Sequence, residues 1–404
     1  MITRRLASTV SVPPGNKSPR KIVLVGAGFL GSYIAKALIA DPRNRIQIVS
    51  RHPQSLHSKL STLGAQILPP ASVDITSSSS VPELRKAFEG ASAVVSLAGL
   101  LVGSDKQMKA LQEDGARRVG EAASEEGVGR VVDISAIGAN PQGVTAYWRT
   151  KAKGEDAIRE YHPTATVIRP SLLFGPGDSF FSVSTFFFFF LLVGGGDDIN
   201  PTYALCFHLY KRFATLAKYL PFLPVFGGGI TRFQPVYVGD VARAVEICCR
   251  DDPIVVSQVA GRIIEAGGPD IFTYREMMEL VLRYTNLEGR RAIISLPYWL
   301  GSVQGFFLEK LPETMFTVTR DQVKQLRNDN IVSPHPPMFA QNFEDLLKAF
   351  PSSAPSSAPP GDAGLKSVYD ILPTYLGVGK REEGKRTHGR KSASLDEVKS
   401  MGKR

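Results

Sequence analysis

Cysteine is scarce in this chain: Cys206, Cys248 and Cys249 are the three among 404 residues. Such a count gives no disulfide framework, and the adjacent Cys248 and Cys249 read most simply as small buried residues of a helix in a reducing compartment. Histidine is sparse too. The six histidines show no ligand spacing with cysteines or acids, so no metal site is expected. Acidic residues are missing from the first 40 positions, where Arg4, Arg5, Lys17, Arg20, Lys21 and Lys36 give +6. Residues 377–404 carry a further +5, so the formal charge of +10 leaves the rest of the chain at −1. A body of that charge lacks the basic surface that DNA or RNA binding requires, and no nucleic-acid partner is expected.

What the chain does have is length enough for a sizeable core, 43% hydrophobic residues, and a glycine-rich turn near its start. The strand-like run Lys21-Ile22-Val23-Leu24-Val25 leads into Gly26-Ala27-Gly28-Phe29-Leu30-Gly31 and then into a helix-like stretch over 32–40. A glycine turn between a buried strand and a helix N-terminus leaves backbone N–H groups free for a pyrophosphate, and the helix dipole favours the negative charge. Gly26 permits the tight turn, Gly28 lets phosphates approach, and Gly31 lets helix and strand pack closely. Dinucleotide binding is the expectation.

At the end of the second strand, about 20 residues on, NAD-preferring sites usually carry an acid for the adenosine ribose. Here Ile48-Val49-Ser50-Arg51-His52 offers none. Ser50 and Arg51 suit a 2′-phosphate instead, by a hydroxyl hydrogen bond and a charge-assisted guanidinium contact. NADPH is therefore expected over NADH; the plainer alternative for Arg51 is a solvated loop arginine.

Short apolar runs then alternate with helical patterns. Strands are expected at 66–68 (followed by Asp74), 93–99, 131–135 and 166–170, and helices over 81–89, 104–126 and 147–161. This alternation predicts an α/β chain with a Rossmann-type doubly wound parallel sheet. A smaller, mostly helical C-terminal domain follows, with helices over 274–284, 296–311 and 319–326, the last capped by Thr319. The expected organisation is a presequence over 1–20, a dinucleotide-binding domain over 21–181 and the remaining core with the smaller domain over 212–349. A Pro/Ser/Ala linker at 350–361, a helix within 362–379 and a basic disordered tail over 380–404 complete it.

The first residues, with arginines, hydroxyls and spaced apolar side chains, read as a mitochondrial presequence, or else as a disordered basic arm. Residues 186–190 are five consecutive phenylalanines, continuing as Leu191-Leu192-Val193 and three glycines. That run is too short for a membrane span and fits neither a half-buried strand nor an amphipathic helix. The preferred reading is that residues 182–211 are foreign to the fold, translated from a retained intron; a buried strand is the alternative.

Ser135 stands at the end of one expected strand, and Tyr147 and Lys151 share a helix face at i and i+4. A phenol with a pKa of about 10 is a poor proton donor or acceptor at neutral pH. A neighbouring ammonium lowers it and can also reach a nicotinamide ribose. In this reading Ser135 holds a substrate oxygen while Tyr147 moves the proton.

These motifs, with Ile134-Ser135-Ala136, Arg169-Pro170-Ser171, Phe174-Gly175-Pro176-Gly177-Asp178, Gln234-Pro235-Val236-Tyr237-Val238-Gly239-Asp240 and Thr319-Arg320-Asp321-Gln322-Val323, resemble the atypical and extended short-chain dehydrogenase/reductase superfamily. The last two blocks narrow the resemblance to the NADPH-binding accessory subunits of mitochondrial complex I, NADH:ubiquinone oxidoreductase, and their bacterial relatives. The resemblance implies NADPH held for assembly or stability rather than for the main electron path. It also implies complex I subunits as partners and a matrix location peripheral to the inner membrane. A related branch is associated with coenzyme Q synthesis, which makes quinone-synthesis proteins the alternative partners. An active NADP-dependent reductase or epimerase on a carbonyl or sugar-nucleotide substrate is the third reading.

Residue by residue, the resemblance places Gly26, Gly28, Phe29, Leu30 and Gly31 at the pyrophosphate and Arg51 at the adenosine phosphate. Asp74 falls near the adenine, Ala98 and Gly99 beneath the cofactor, and Tyr147 and Lys151 at the nicotinamide ribose. Trp299, Leu300, Val303, Phe306, Phe307 and Leu311 form an apolar face for a membrane-arm partner or the lipid surface, or else pack within the smaller domain. The family runs almost directly from Phe181 to Arg212, which supports the insertion reading, and neither the linker nor the tail has a family counterpart.

Overall fold

The computed structural model describes residues 18–101, 103–178, 221–301, 320–337, 339–351 and 364–376. Residues 1–17 of the presequence expected over 1–20, the 182–211 segment with Cys206, the part of the expected apolar face beyond Gly301, Thr319, residues 352–361 of the linker expected at 350–361 and the tail over 380–404 lie outside the described residues.

Seven strands form one parallel sheet. They are β1 (Arg20–Val25), β2 (Asn44–Ser50), β3 (Ala71–Ser72), β4 (Ala91–Ser96), β5 (Arg130–Ile134), β6 (Thr166–Pro170) and a last strand, Ile263–Ala266. From one edge to the other the order is Ile263–Ala266, β6, β5, β4, β1, β2, β3. The chain thus starts in the middle of the sheet and reverses direction between β1 and β4. That is the doubly wound arrangement expected, and its switch point lies where β1 meets β4. Central strands read as unbroken apolar runs because helices cover both faces; Ile22, Val23 and Leu24 are fully buried.

One face is packed by α1 (Phe29–Ile39), through Ile34 and Leu38, together with the helices Val238–Cys248 and Phe343–Ala349. Cys248 and Cys249 are buried there as small core residues, and burial pushes the Cys249 thiol up to about 12. The other face is packed by α3 (Val81–Phe88), α5 (Gly115–Glu125) and α6 (Ala146–Tyr161), through Phe88, Val119 and Ile158. The connection β2 to β3 contains α2 (Gln54–Leu60).

Three expectations are corrected. The strand expected at 66–68 contributes only an isolated bridge, Ile46 to Ile67, and the ladder resumes at Ala71–Ser72 opposite Val49 and Ser50. Pro69 and Pro70 have no N–H to donate, which interrupts the pairing. The helix expected over 104–126 is broken into α4 (Asp105–Met108), a π-helical turn Lys109–Asp114, and α5. The π turn brings the Gln112 carbonyl so close to α6 that a Cβ on Gly154 would lie 2.1 Å from it, and Gln112 Nε2 ties the turn to Leu100 O at 2.7 Å. The helix expected to start at Leu296 is preceded there by a strand, Ala292–Leu296, parallel to Phe222–Phe226. Leu296 precedes Pro297, a position disfavoured for the helical conformation.

The smaller part gathers three two-stranded ribbons and the helices Tyr274–Tyr284 and Val368–Tyr375 around Phe174, Leu223, Met277, Val281 and Leu372. Thr273 and Ser367 begin these two helices with capping boxes, to Glu276 and Asp370 respectively.

Candidate cofactor site

The glycine turn lies at the switch point. Gly26 has φ +128°, and a Cβ there would stand 2.9 Å from Leu97 Cβ on the β4 side. Gly31, buried in α1, would bring a Cβ to 3.2 Å from Gly26 O, so a side chain at Gly26 would displace its neighbour and one at Gly31 would be tightly packed. Gly28 differs: a Cβ there would meet nothing within 4 Å. It is the N-cap of α1, with no side-chain cap and no acid in the first turn, so the helix presents its N–H end to the open side. These features fit a dinucleotide pyrophosphate, which Gly28, Phe29 and Leu30 would receive on their backbone amides.

The adenosine end of such a ligand falls at the tips of β2 and β3. Ser50 pairs with Ser72 across the ladder, and Ser72 Oγ donates to Arg51 O at 2.9 Å, bringing Arg51 beside the loop that carries Asp74. Ser50 Oγ is covered and has no hydrogen-bond partner among the described residues; Arg51 is exposed. Asp74 Oδ1 accepts from Thr76 N at 3.0 Å and Thr76 Oγ1 at 2.7 Å. Partial burial pushes the Asp74 carboxyl up, but those hydrogen bonds and the charges of Arg51 and Arg118 outweigh it and hold it below the ordinary carboxylate value.

Lys151, on α6, reaches beneath the tips of β4 and β5. Its Nζ donates to Ile134 O at 2.8 Å and Ala98 O at 3.0 Å, and a Cβ on Gly99 would stand 3.2 Å from it. Ala98, Gly99 and Lys151 are therefore brought together, with Tyr147 half-buried one turn earlier on α6. Burial pushes the Lys151 ammonium below its usual range, against the opposing pull of Asp133 and Glu155.

Ser135 is placed at the tip of β5, as expected, but its hydroxyl donates to Glu155 Oε1 and is 3% exposed as a residue. Arg169 clamps the same carboxylate with Nε at 2.9 Å and Nη2 at 2.7 Å, and lies 3.8 Å from Glu265. Sequence reasoning missed this buried network of Glu155, Arg169 and Glu265. A signal for it existed: Glu155 follows Lys151 by four residues and so shares its inward face. Asp133 was missed as well, although it is the one charged residue in the apolar stretch Val131 to Ile134. Its carboxyl is pushed up to about 6 by burial, with Lys151 and a hydrogen bond from Ser96 opposing.

Residues 26–179 match a family model described as NAD(P)H-binding. The mitochondrial NADH dehydrogenase (ubiquinone) 1 alpha subcomplex subunit 9 of Arabidopsis thaliana is 26% identical over 350 residues, covering 81% of this chain and 75% of that protein. The ceramide reductase of Caulobacter vibrioides is 30% identical over 161 residues, 39% of this chain and 48% of that protein. Among solved structures, the UDP-glucuronic acid 4-epimerase of Bacillus cereus, in complex with UDP-glucuronic acid and NAD, superposes with a TM-score of 0.52 at 17% identity, covering 78% of this chain and 95% of its own. That likeness is one of fold. Sheet order and glycine turn give the chain a Rossmann-like fold, residues 26–179 form an NAD(P)H-binding domain, and over most of its length the chain is similar in sequence to a mitochondrial subunit 9 protein.

Proposed function

We propose that the chain holds NADPH as an accessory component of the ubiquinone-linked respiratory NADH dehydrogenase, stabilising that assembly from the matrix side of the inner membrane. The observation that carries this reading is the direction of the polar groups that would serve a reaction. Ser135 turns its hydroxyl to Glu155, and Lys151 donates to two backbone carbonyls, so both brace the tips of β4 and β5 beneath a bound cofactor. Similarity to the plant subunit over 350 residues, reaching well beyond the dinucleotide-binding domain, supports the same reading.

NADPH is favoured over NADH by Ser50 and Arg51 at the tip of β2, a strand end that carries no acid of its own for a ribose 2′-hydroxyl. Bound NADPH would supply a hydride donor, which by itself does not imply turnover. Gly26, Gly28, Phe29, Leu30 and Gly31 would form the phosphate turn, Asp74 would border the adenine, and Tyr147 and Lys151 would stand at the nicotinamide ribose.

A second reading is an active NADP-dependent reductase, favoured by the 30% identity to a ceramide reductase over 161 residues. Native-gel fractionation of mitochondria separates the two together with Tyr147→Phe. Co-migration with complex I and unchanged assembly in the variant support the accessory role. Loss of a defined metabolite conversion with assembly intact would establish the enzyme, and co-migration with quinone-synthesis proteins would move the chain to that branch.

A further inference from the structure

Five residues after the end of β6, the chain makes a short loop, residues 175–178, that reaches back to α1. Gly175 and Gly177 both have positive φ, +147° and +90°, so the loop is one that side chains could not easily follow. Tyr33 Oη, on α1, donates to Pro176 O at 2.9 Å. A Cβ on Gly177 would stand 3.8 Å from the Phe29 ring, which packs edge-on against Tyr33 with centroids 5.4 Å apart. Phe29 directly follows Gly28, the open glycine of the phosphate turn. The loop is thus seated on the first turn of α1.

Its other end is held from the far end of the described chain. Asp178 is 1% exposed, and its carboxylate accepts from Gly175 N at 2.9 Å and from the phenol of Tyr375. Tyr375 ends the helix Val368–Tyr375, whose start is fixed independently. Ser367 Oγ and Val368 N donate to Asp270 at 2.7 and 3.1 Å, and Lys366 N donates to Asp240 at 2.8 Å. Val368 and Leu372 fill the core of the smaller part beside Phe174. A buried carboxylate needs donors. Tyr375 meets that need only when its helix is docked.

We propose that Tyr375 is a positioning residue for the dinucleotide site: by donating to Asp178 it fixes the 175–178 loop against Phe29 and Tyr33, so that docking of the C-terminal helix and cofactor binding at α1 reinforce one another. The proposal rests on the reading of the glycine turn as an NADPH site. Reciprocity then follows from linkage: whatever factor the docked helix adds to NADPH affinity, NADPH adds to the docking of the helix.

The test uses the full chain and NADPH as the probe. Tyr375→Phe keeps the ring and removes the donor. Losing a hydrogen bond to a charged group corresponds to a rise of about tenfold in Kd for NADPH, followed by nicotinamide fluorescence. In the unaltered chain, saturating NADPH is expected to slow amide hydrogen exchange across Val368–Tyr375, a response that a merely structural tyrosine would not produce. Wild-type affinity in Tyr375→Phe together with NADPH-independent exchange of that helix overturns the coupling while leaving the cofactor reading intact. Absence of NADPH binding by the unaltered chain overturns the cofactor reading itself, and the coupling with it. If Tyr375→Phe does not fold, the exchange measurement on the unaltered chain decides alone.

Discussion

Ser135 and Glu155 are joined by a buried hydrogen bond in which the hydroxyl donates to the very carboxylate that Arg169 grips with two nitrogens. The serine is thereby part of an ionic brace between β5, α6 and β6. Removing the charge with Glu155→Gln takes from the mostly buried Arg169 its two-point partner, leaving the more distant charges of Glu265 and Asp156, and is expected to cost about 3 kcal/mol. Ser135→Ala is expected to cost about 1 kcal/mol. Urea unfolding of both variants checks this. A Ser135→Ala protein of unchanged stability that has lost a measurable turnover would return the serine to a substrate-holding role.

The glycines of the proposed phosphate turn are expected to divide their labour, and substitution separates the two kinds. Gly26→Ala meets Leu97 and a backbone conformation that suits only glycine, so a loss of about 1 to 3 kcal/mol in stability is expected. Gly28→Ala meets no protein atom, so its melting temperature is expected to stay put while NADPH binding weakens about tenfold or more. Similar behaviour in both variants would refute this division.

Arg51→Asp is expected to weaken NADPH by about tenfold or more while changing NADH little, since only the former carries a 2′-phosphate. Titration with the two nucleotides side by side checks it. Equal losses would place Arg51 outside the site.

Asp133 gives the fold a specific pH response. Its carboxyl is raised from 3.8 to about 6 on folding. Between those values the folded state binds more protons than the unfolded one, so the stability linked to this group is complete below pH 3.8 and is lost as pH rises through about 6. The size of that loss is roughly 3 kcal/mol. In Asp133→Asn the fall in unfolding free energy across this window is expected to flatten, measured by urea unfolding at successive pH values. A variant with the same slope as the unaltered chain would rule Asp133 out as its source.

Much of this architecture is legible before any coordinates. The apolar strands and the glycine turn are local signals, and the alternation with helices is enough to order them into a parallel sheet. What escaped is non-local. Spacing from Lys151 hints that Glu155 faces inward, but its pairing with Arg169 follows only from the packing of α6 on the sheet. The Tyr375 to Asp178 contact spans 197 positions and has no local signature. Ala292–Leu296 is an apolar, β-branched run for which no strand is expected, and only its last residue falls in the helix expected over 296–311; its partner, Phe222–Phe226, lies far back in the chain. The shortened β3 was the exception: Pro69 and Pro70 were visible all along.

The seventh strand has a consequence for how this protein can be cut and made. Residues 26–179 carry the dinucleotide signature, yet β6 finds its outer neighbour only at Ile263–Ala266. A fragment ending at 179 would leave the unpaired N–H and C=O groups of β6 along an open, apolar border, an invitation to intermolecular pairing and aggregation. The stretch that matches the NAD(P)H-binding model is therefore not a closed sheet by itself. During synthesis, β6 must wait unsheltered until the chain through Ala266 has emerged.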